Sequence, residues 1–148
     1  MKRSYVYVVI FIFLVLVSCK DADRFVEPDY VLKKWARSIE KLNYKDYCKC
    51  EAYPKSLSVF RKMYKDYYIV DIMTIDIEDV KEEDVRKDHE KNPYLHRSLS
   101  FEGTLVKRKT KKSFQIIRGN AVFIRFLDGK QKKDGWKISN RTMVRINR

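Results

Sequence analysis

The apolar residues of this chain change period once, and that change fixes the class of fold open to it. From Val31 to Tyr67 they recur at helical spacing, and from Ile69 onward they alternate. A helix repeats every 3.6 residues and a strand every 2. Helical segments followed by strands predict an α+β fold, with helices gathered on one face of an antiparallel sheet.

Val31, Leu32, Trp35, Ile39 and Leu42 mark one face of a helix from about Pro28 to Lys41, with Lys33, Lys34, Arg37 and Lys41 turned outward. Pro28 suits the first helical turn, and Asn43 marks the end. Tyr44–Ala52 predicts a short second helix that Pro54 breaks. Leu57, Phe60, Met63, Tyr64 and Tyr67 predict a third, with Ser56 as its N-cap. Two or three helices therefore need a broad apolar surface to cover. Cys48 and Cys50 lie in this region; a Cys-x-Cys bridge closes a very small, strained ring, so packed thiols are the plainer expectation.

In the first strand Ile69, Met73, Ile75 and Ile77 share one face, and Val70, Ile72, Thr74 and Asp76 the other. Asp71 falls on the Ile69–Met73 face, the one carboxylate placed to enter an apolar cavity. A buried carboxylate has a raised pKa and serves as a general base or hydrogen-bond donor. The plainer reading has the strand begin after Asp71, leaving its side chain in water. Trp35, Tyr64, Tyr67 and Tyr68 are the candidate lining of such a pocket. Asp79–Lys91 is dense in charge, and Asp88, His89 and Glu90 are adjacent rather than helically spaced, so no metal site is expected there.

The rest reads as a β-meander. Leu99, Phe101 and Leu105 alternate with polar residues, and Lys107–Lys112 forms a basic turn. Phe114–Ile117 leads to Gly119-Asn120, a hairpin-type pair, and Ala121–Leu127 follows. Asp128-Gly129 and Asp134-Gly135 flank a lysine-rich turn before Trp136-Lys137-Ile138, and Thr142–Ile146 continues or ends that strand. Four Gly and three Pro in the chain argue against a loop-dominated or repeat architecture.

Charge is distributed unevenly. Residues 20–96 hold 16 Lys/Arg and 17 Asp/Glu, whereas residues 97–148 hold 15 against 3, a net of +12. The candidate basic surface is Lys107, Arg108, Lys109, Lys111 and Lys112 in one turn and Lys130, Lys132 and Lys133 in the other. Such a surface attracts polyanions; a solvated face with no partner is the plainer reading.

The N-terminus carries an address. Lys2 and Arg3 precede the uncharged stretch Tyr5–Val17, too short for the about 20 apolar residues of a spanning helix. This is the pattern of a secretory signal peptide. Leu16-Val17-Ser18-Cys19 resembles the lipobox of bacterial lipoproteins. The resemblance implies acylation of Cys19 and cleavage before it, giving residues 1–18 as leader, 19–27 as lipidated tether and 28–148 as one domain. Two or more acyl chains anchor stably. Lys20-Asp21-Ala22-Asp23 is similar to the lysine-then-acid export signal of surface lipoproteins in Bacteroidetes, or is an ordinary acidic tether. The implied location is the bacterial cell envelope, at the outer membrane on its periplasmic or surface face. Nucleic acid is excluded by compartment.

Gly119-Asn120-Ala121-Val122-Phe123-Ile124 and Asp134-Gly135-Trp136-Lys137-Ile138 resemble the closing strands of the nuclear transport factor two-like superfamily. That resemblance implies a bent sheet wrapped on a helix around a cone-shaped pocket. Some members are isomerases or dehydratases and many are binding modules; no catalytic set matches here. The expectation is a non-catalytic envelope module without cofactor, contacting an anionic envelope component or a protein. The alternatives are a small apolar-ligand pocket or isomerase-like enzyme using Asp71, and an immunity-type partner of another envelope protein.

Overall fold

The structure, a computed structural model, describes residues 27–78, 85–88 and 90–146, apart from the side chain of Phe114. The leader, Cys19 and the tether as far as Val26 lie outside the described residues, as does His89.

Among the described residues three α-helices precede the sheet. Helix α1 spans Pro28–Glu40 and buries Val31, Leu32, Trp35, Ala36 and Ile39. Leu42 takes a left-handed backbone, φ 50°, just beyond it. Asn43 does more than end α1: its side chain accepts from Asp46 N at 3.1 Å and so caps α2, Tyr44–Cys50. Helix α3, Leu57–Tyr64, is capped by Ser56, and its buried residues are Phe60 and Tyr64. Cys48 and Cys50 are free. They diverge on α2, and burial pushes the Cys50 thiol up to about 11. Among the described residues no helix is long and apolar enough to cross a membrane.

The strands are β1 (Tyr67–Ile77), β2 (Arg86–Lys87), β3 (Pro93–Lys107), β4 (Lys112–Phe126) and β5 (Lys137–Arg145). All pairings between them are antiparallel, in the order β1-β3-β4-β5, with β2 added beside the start of β3. The chain is thus α+β. Leu99, Phe101, Ile117, Ala121 and Phe123 on the inner sheet face close one core with Leu32, Trp35, Ile39, Tyr47 and Phe60. A parallel bridge between Glu51 and Ile138 ties the end of α2 to β5.

Two expectations are corrected. Gly119-Asn120 is not a turn: β4 runs unbroken through it, with Gly119 between Phe101 on β3 and Met143 on β5. A Cβ there would lie 2.5 Å from Thr142 O and 2.8 Å from Phe101 Cζ, so the glycine serves close approach of neighbours. The strict alternation of β1 also fails. The pairing slips between Val70 and Met73, where Asp71 has φ 53°, and again between Thr74 and Asp76. Each bulge adds one residue and swaps the faces. Met73 and Ile75 consequently point to solvent while Ile72 and Thr74 are half-buried.

Helix α1 and β3 run in the same direction, and side chains fix both ends. Near its N-terminus Glu27 pairs with Arg97 at 3.0 Å. At its C-terminus Arg108, in the β3–β4 turn, donates to Glu40 O at 2.7 Å and Ile39 O at 2.9 Å. The two basic turns consequently lie at opposite ends of the sheet. The β3–β4 turn sits beside the end of α1, and the 3-10 turn Lys130–Asp134 follows the far end of β4.

Candidate functional site

The β3–β4 turn is the most concentrated charge among the described residues. Lys107, Lys109, Lys111 and Lys112 are all exposed. No described acid pairs with any of them. Lys111 takes a left-handed backbone, φ 57°, that closes the turn, and its ammonium sits 5.3 Å from the Tyr68 ring centre.

Arg108 differs from the expectation that placed it on the basic surface. Its guanidinium is spent internally: besides the two α1 carbonyls it donates to Tyr64 O at 3.2 Å, and it lies 4.9 Å over the Tyr68 ring. The last carbonyls of a helix have no partner within the helix and carry partial negative charge, so a guanidinium there satisfies both needs. One side chain thus clamps the ends of α1 and α3 to the hairpin and holds the four lysines in fixed register. Arg108→Gln should lower stability by about 1–2 kcal/mol, the scale of losing charge-assisted hydrogen bonds, measurable by urea denaturation with the lysines retained.

The expected pocket residues do not meet around one cavity. Trp35 is fully buried, Tyr64 and Tyr68 are buried, and Tyr67 is half-buried. Trp35 and Tyr64 pack edge to face, 6.3 Å between ring centres, and Tyr68 lies at the Arg108 end. Trp35, Tyr64 and Tyr68 belong to the core. Asp71 is exposed at its bulge and lines an open groove of about 400 Å³ with Lys33 and Arg37 of α1. The buried placement does not occur. Its exposure comes from the bulge rather than from a late strand start.

A second feature escaped the sequence altogether. Between α3 and β5 lies a cleft of about 600 Å³, lined by Tyr53, Lys55, Met63 and Met143 at the rim and Glu51, Tyr64 and Arg141 at the floor. Arg141 Nη1 contacts Glu51 Oε1 at 2.6 Å as an ion pair without an aligned hydrogen bond. Nη2 donates to Tyr64 Oη at 3.0 Å, and the guanidinium lies 4.3 Å from the Trp35 ring centre. Burial pushes the Glu51 carboxyl up, and Arg141 pulls against it. Burial raises the Tyr64 phenol as well. The floor is thus a compensated pair, with the cation committed to Glu51, Tyr64 and Trp35.

The 3-10 turn presents Lys130, Lys132 and Lys133, all exposed. Among the described residues no group of three His, Cys, Asp or Glu side chains could hold a metal. No protein-family model matches this chain, and no curated protein matches it significantly.

Proposed function

We propose that this chain is a lipid-anchored protein of the bacterial cell envelope, probing its surroundings with a non-catalytic module that binds anionic envelope polymers. The finer architecture we propose is the cone of the nuclear transport factor two-like superfamily. The helices-first order, the bulged strands and the core beneath α1 support that architecture. The anchor rests on the signal-peptide pattern and on Leu16-Val17-Ser18-Cys19, through which the domain would hang from the outer membrane.

One observation carries the binding reading: four exposed lysines, none paired with a described acid, on a hairpin tip that Arg108 fastens to two helix ends. Preordered cations lose little freedom when a polyanion arrives, and opposite charge raises the encounter rate. The exposed position of Asp71 and the side chains filling the core favour this reading over an enzyme or apolar-ligand pocket centred on Asp71.

The test is binding of lipopolysaccharide to the folded domain across a salt series. Affinity should fall as salt rises, because exposed charges are screened beyond about 8 Å at physiological ionic strength. The variant Lys109→Gln/Lys111→Gln/Lys112→Gln should bind about tenfold more weakly at low salt, with its thermal midpoint unchanged. Binding that ignores both salt and these lysines would remove the polyanion reading.

A further inference from the structure

We propose that the domain stands end-on at its membrane, with the 3-10 turn Lys130–Asp134 and its neighbours against anionic phospholipid headgroups and the β3–β4 hairpin outermost. This orientation rests on the reading of Cys19 as the acylated residue.

The place where the tether enters the domain carries the argument. Glu27, the first described residue, is held at 3.0 Å by Arg97 near the start of β3. Arg97 in turn lies 5.6 Å from the ring centre of Trp136. Trp136 follows the 3-10 turn directly, two residues after Asp134. The chain coming from Cys19 therefore joins the domain at the 3-10 end. From Cys19 to Glu27 an extended chain reaches only about 26–29 Å, at 3.3–3.6 Å per residue. The two basic turns are separated by the length of β4, whose 15 residues make 14 steps of about 3.3 Å, roughly 46 Å of strand. In an upright domain the tether cannot bring the hairpin tip down to the bilayer.

The near end has the chemistry for a headgroup surface. Lys130, Lys132 and Lys133 are exposed, and no described acid pairs with them. Arg86 and Lys87 on β2 and Arg125 near the end of β4 are exposed at the same end. The described acids at that end include Asp88, Glu90, Asp128 and Asp134, each held by a local partner. Asp128 Oδ1 accepts from Gly129 N at 2.7 Å, Asp88 Oδ1 from Asn92 N at 2.8 Å, and Asp134 lies 3.9 Å from Lys137. Cations on a short tether beside a leaflet are held at high effective concentration, so weak single contacts suffice. The two lysine turns thus divide the work: one seats the domain and the other faces outward.

Lysine acetylation followed by mass spectrometry tests this on the full-length acylated protein in vesicles of phosphatidylglycerol and phosphatidylethanolamine. Relative to detergent micelles, Lys130, Lys132 and Lys133 should label at least fivefold more slowly, and Lys107, Lys109, Lys111 and Lys112 within twofold of their former rates. Phosphatidylcholine vesicles should give less protection of the 3-10 turn. Equal or greater protection of the hairpin lysines, as in a domain lying on its side, overturns the orientation, and so does full reactivity of the 3-10 lysines. The same spectra report the mass on Cys19. An unacylated Cys19 overturns the anchor itself, whereas an acylated Cys19 with unprotected 3-10 lysines overturns the orientation alone.

Discussion

Arg141→Met should cost the domain about 3 kcal/mol at pH 7, near the lower end of the 3–5 kcal/mol typical when one partner of a buried ion pair is removed. Methionine keeps much of the apolar stem over Trp35 but leaves Glu51, only 7% exposed, with no cation. The lower end applies because Arg141 borders an open cleft and its side chain is 13% exposed. For a domain of this size the loss corresponds to a fall of roughly 10 °C in thermal midpoint. The deficit should depend on pH with a definite sign. Burial already pushes the Glu51 carboxyl up while Arg141 opposes it; without Arg141 it rises further. A carboxyl with a folded pKa above its unfolded value adds stability that is full below the unfolded value and fades as pH rises through the folded one. The variant should therefore approach wild type in acid and fall away toward neutrality. Adding Glu51→Gln should recover much of the loss at pH 7. Urea titrations at pH 4.5 and 7 decide it: a pH-independent deficit would mean lost packing rather than a stranded charge.

That pair shows where reading the chain in one dimension fails. Glu51 and Arg141 lie far apart in sequence, and strict alternation sends Arg141 to the wrong side. Ile138 and Arg141, three positions apart on β5, belong on opposite faces of a regular strand. The pairing instead steps from Val122–Asn140 to Phe123–Ile138, leaving Ser139 as the extra residue. Ser139 Oγ donates to Val122 O at 3.2 Å, occupying the bulge with a hydrogen bond. Both Ile138 and Arg141 then turn inward. The same device at Asp71 reversed the faces of β1. Bulges depend on which partner strand is present, so no local pattern announces them.

Features with local causes were legible. Helix α1 follows from one apolar stripe with a proline at its start, and α3 from a serine cap followed by Phe60 and Tyr64 four residues apart. The switch from period 3.6 to period 2 separated helices from sheet in the right order. The basic β3–β4 turn was legible from its lysines. Arg108 reads as one more surface cation because its partners are backbone carbonyls contributed by α1 and α3, which composition does not register. Trp35, Tyr64 and Tyr68 read as pocket aromatics in the sequence because aromatic side chains serve pockets and cores equally; only packing separates the two.

Gly119→Ala should destabilise the domain by about 3 kcal/mol, although glycine to alanine within a strand ordinarily improves it. Read as half of a Gly-Asn turn, position 119 would make only local demands. In mid-strand its new methyl meets three groups at once: Thr142 O at 2.5 Å, Phe101 Cζ at 2.8 Å and Met143 Cγ at 3.0 Å. A ring or a thioether can turn aside, but a carbonyl oxygen in a paired strand moves only if β4 and β5 separate. Gly103→Ala is the comparison, since its methyl meets the side-chain Ile69 Cγ2 at 3.0 Å and Val70 O at 3.3 Å. It should cost roughly 1 kcal/mol, as an overpacked site with a side chain able to shift. Hydrogen exchange should show the Gly119 variant loosening amides shared by β4 and β5 beyond what global stability accounts for, with those of β1 spared. Adding Phe101→Leu should restore only a small part of the loss, because it relieves the ring contact and leaves the tighter one with the backbone. Full recovery in the double variant would place the constraint in the core ring instead of the strand spacing.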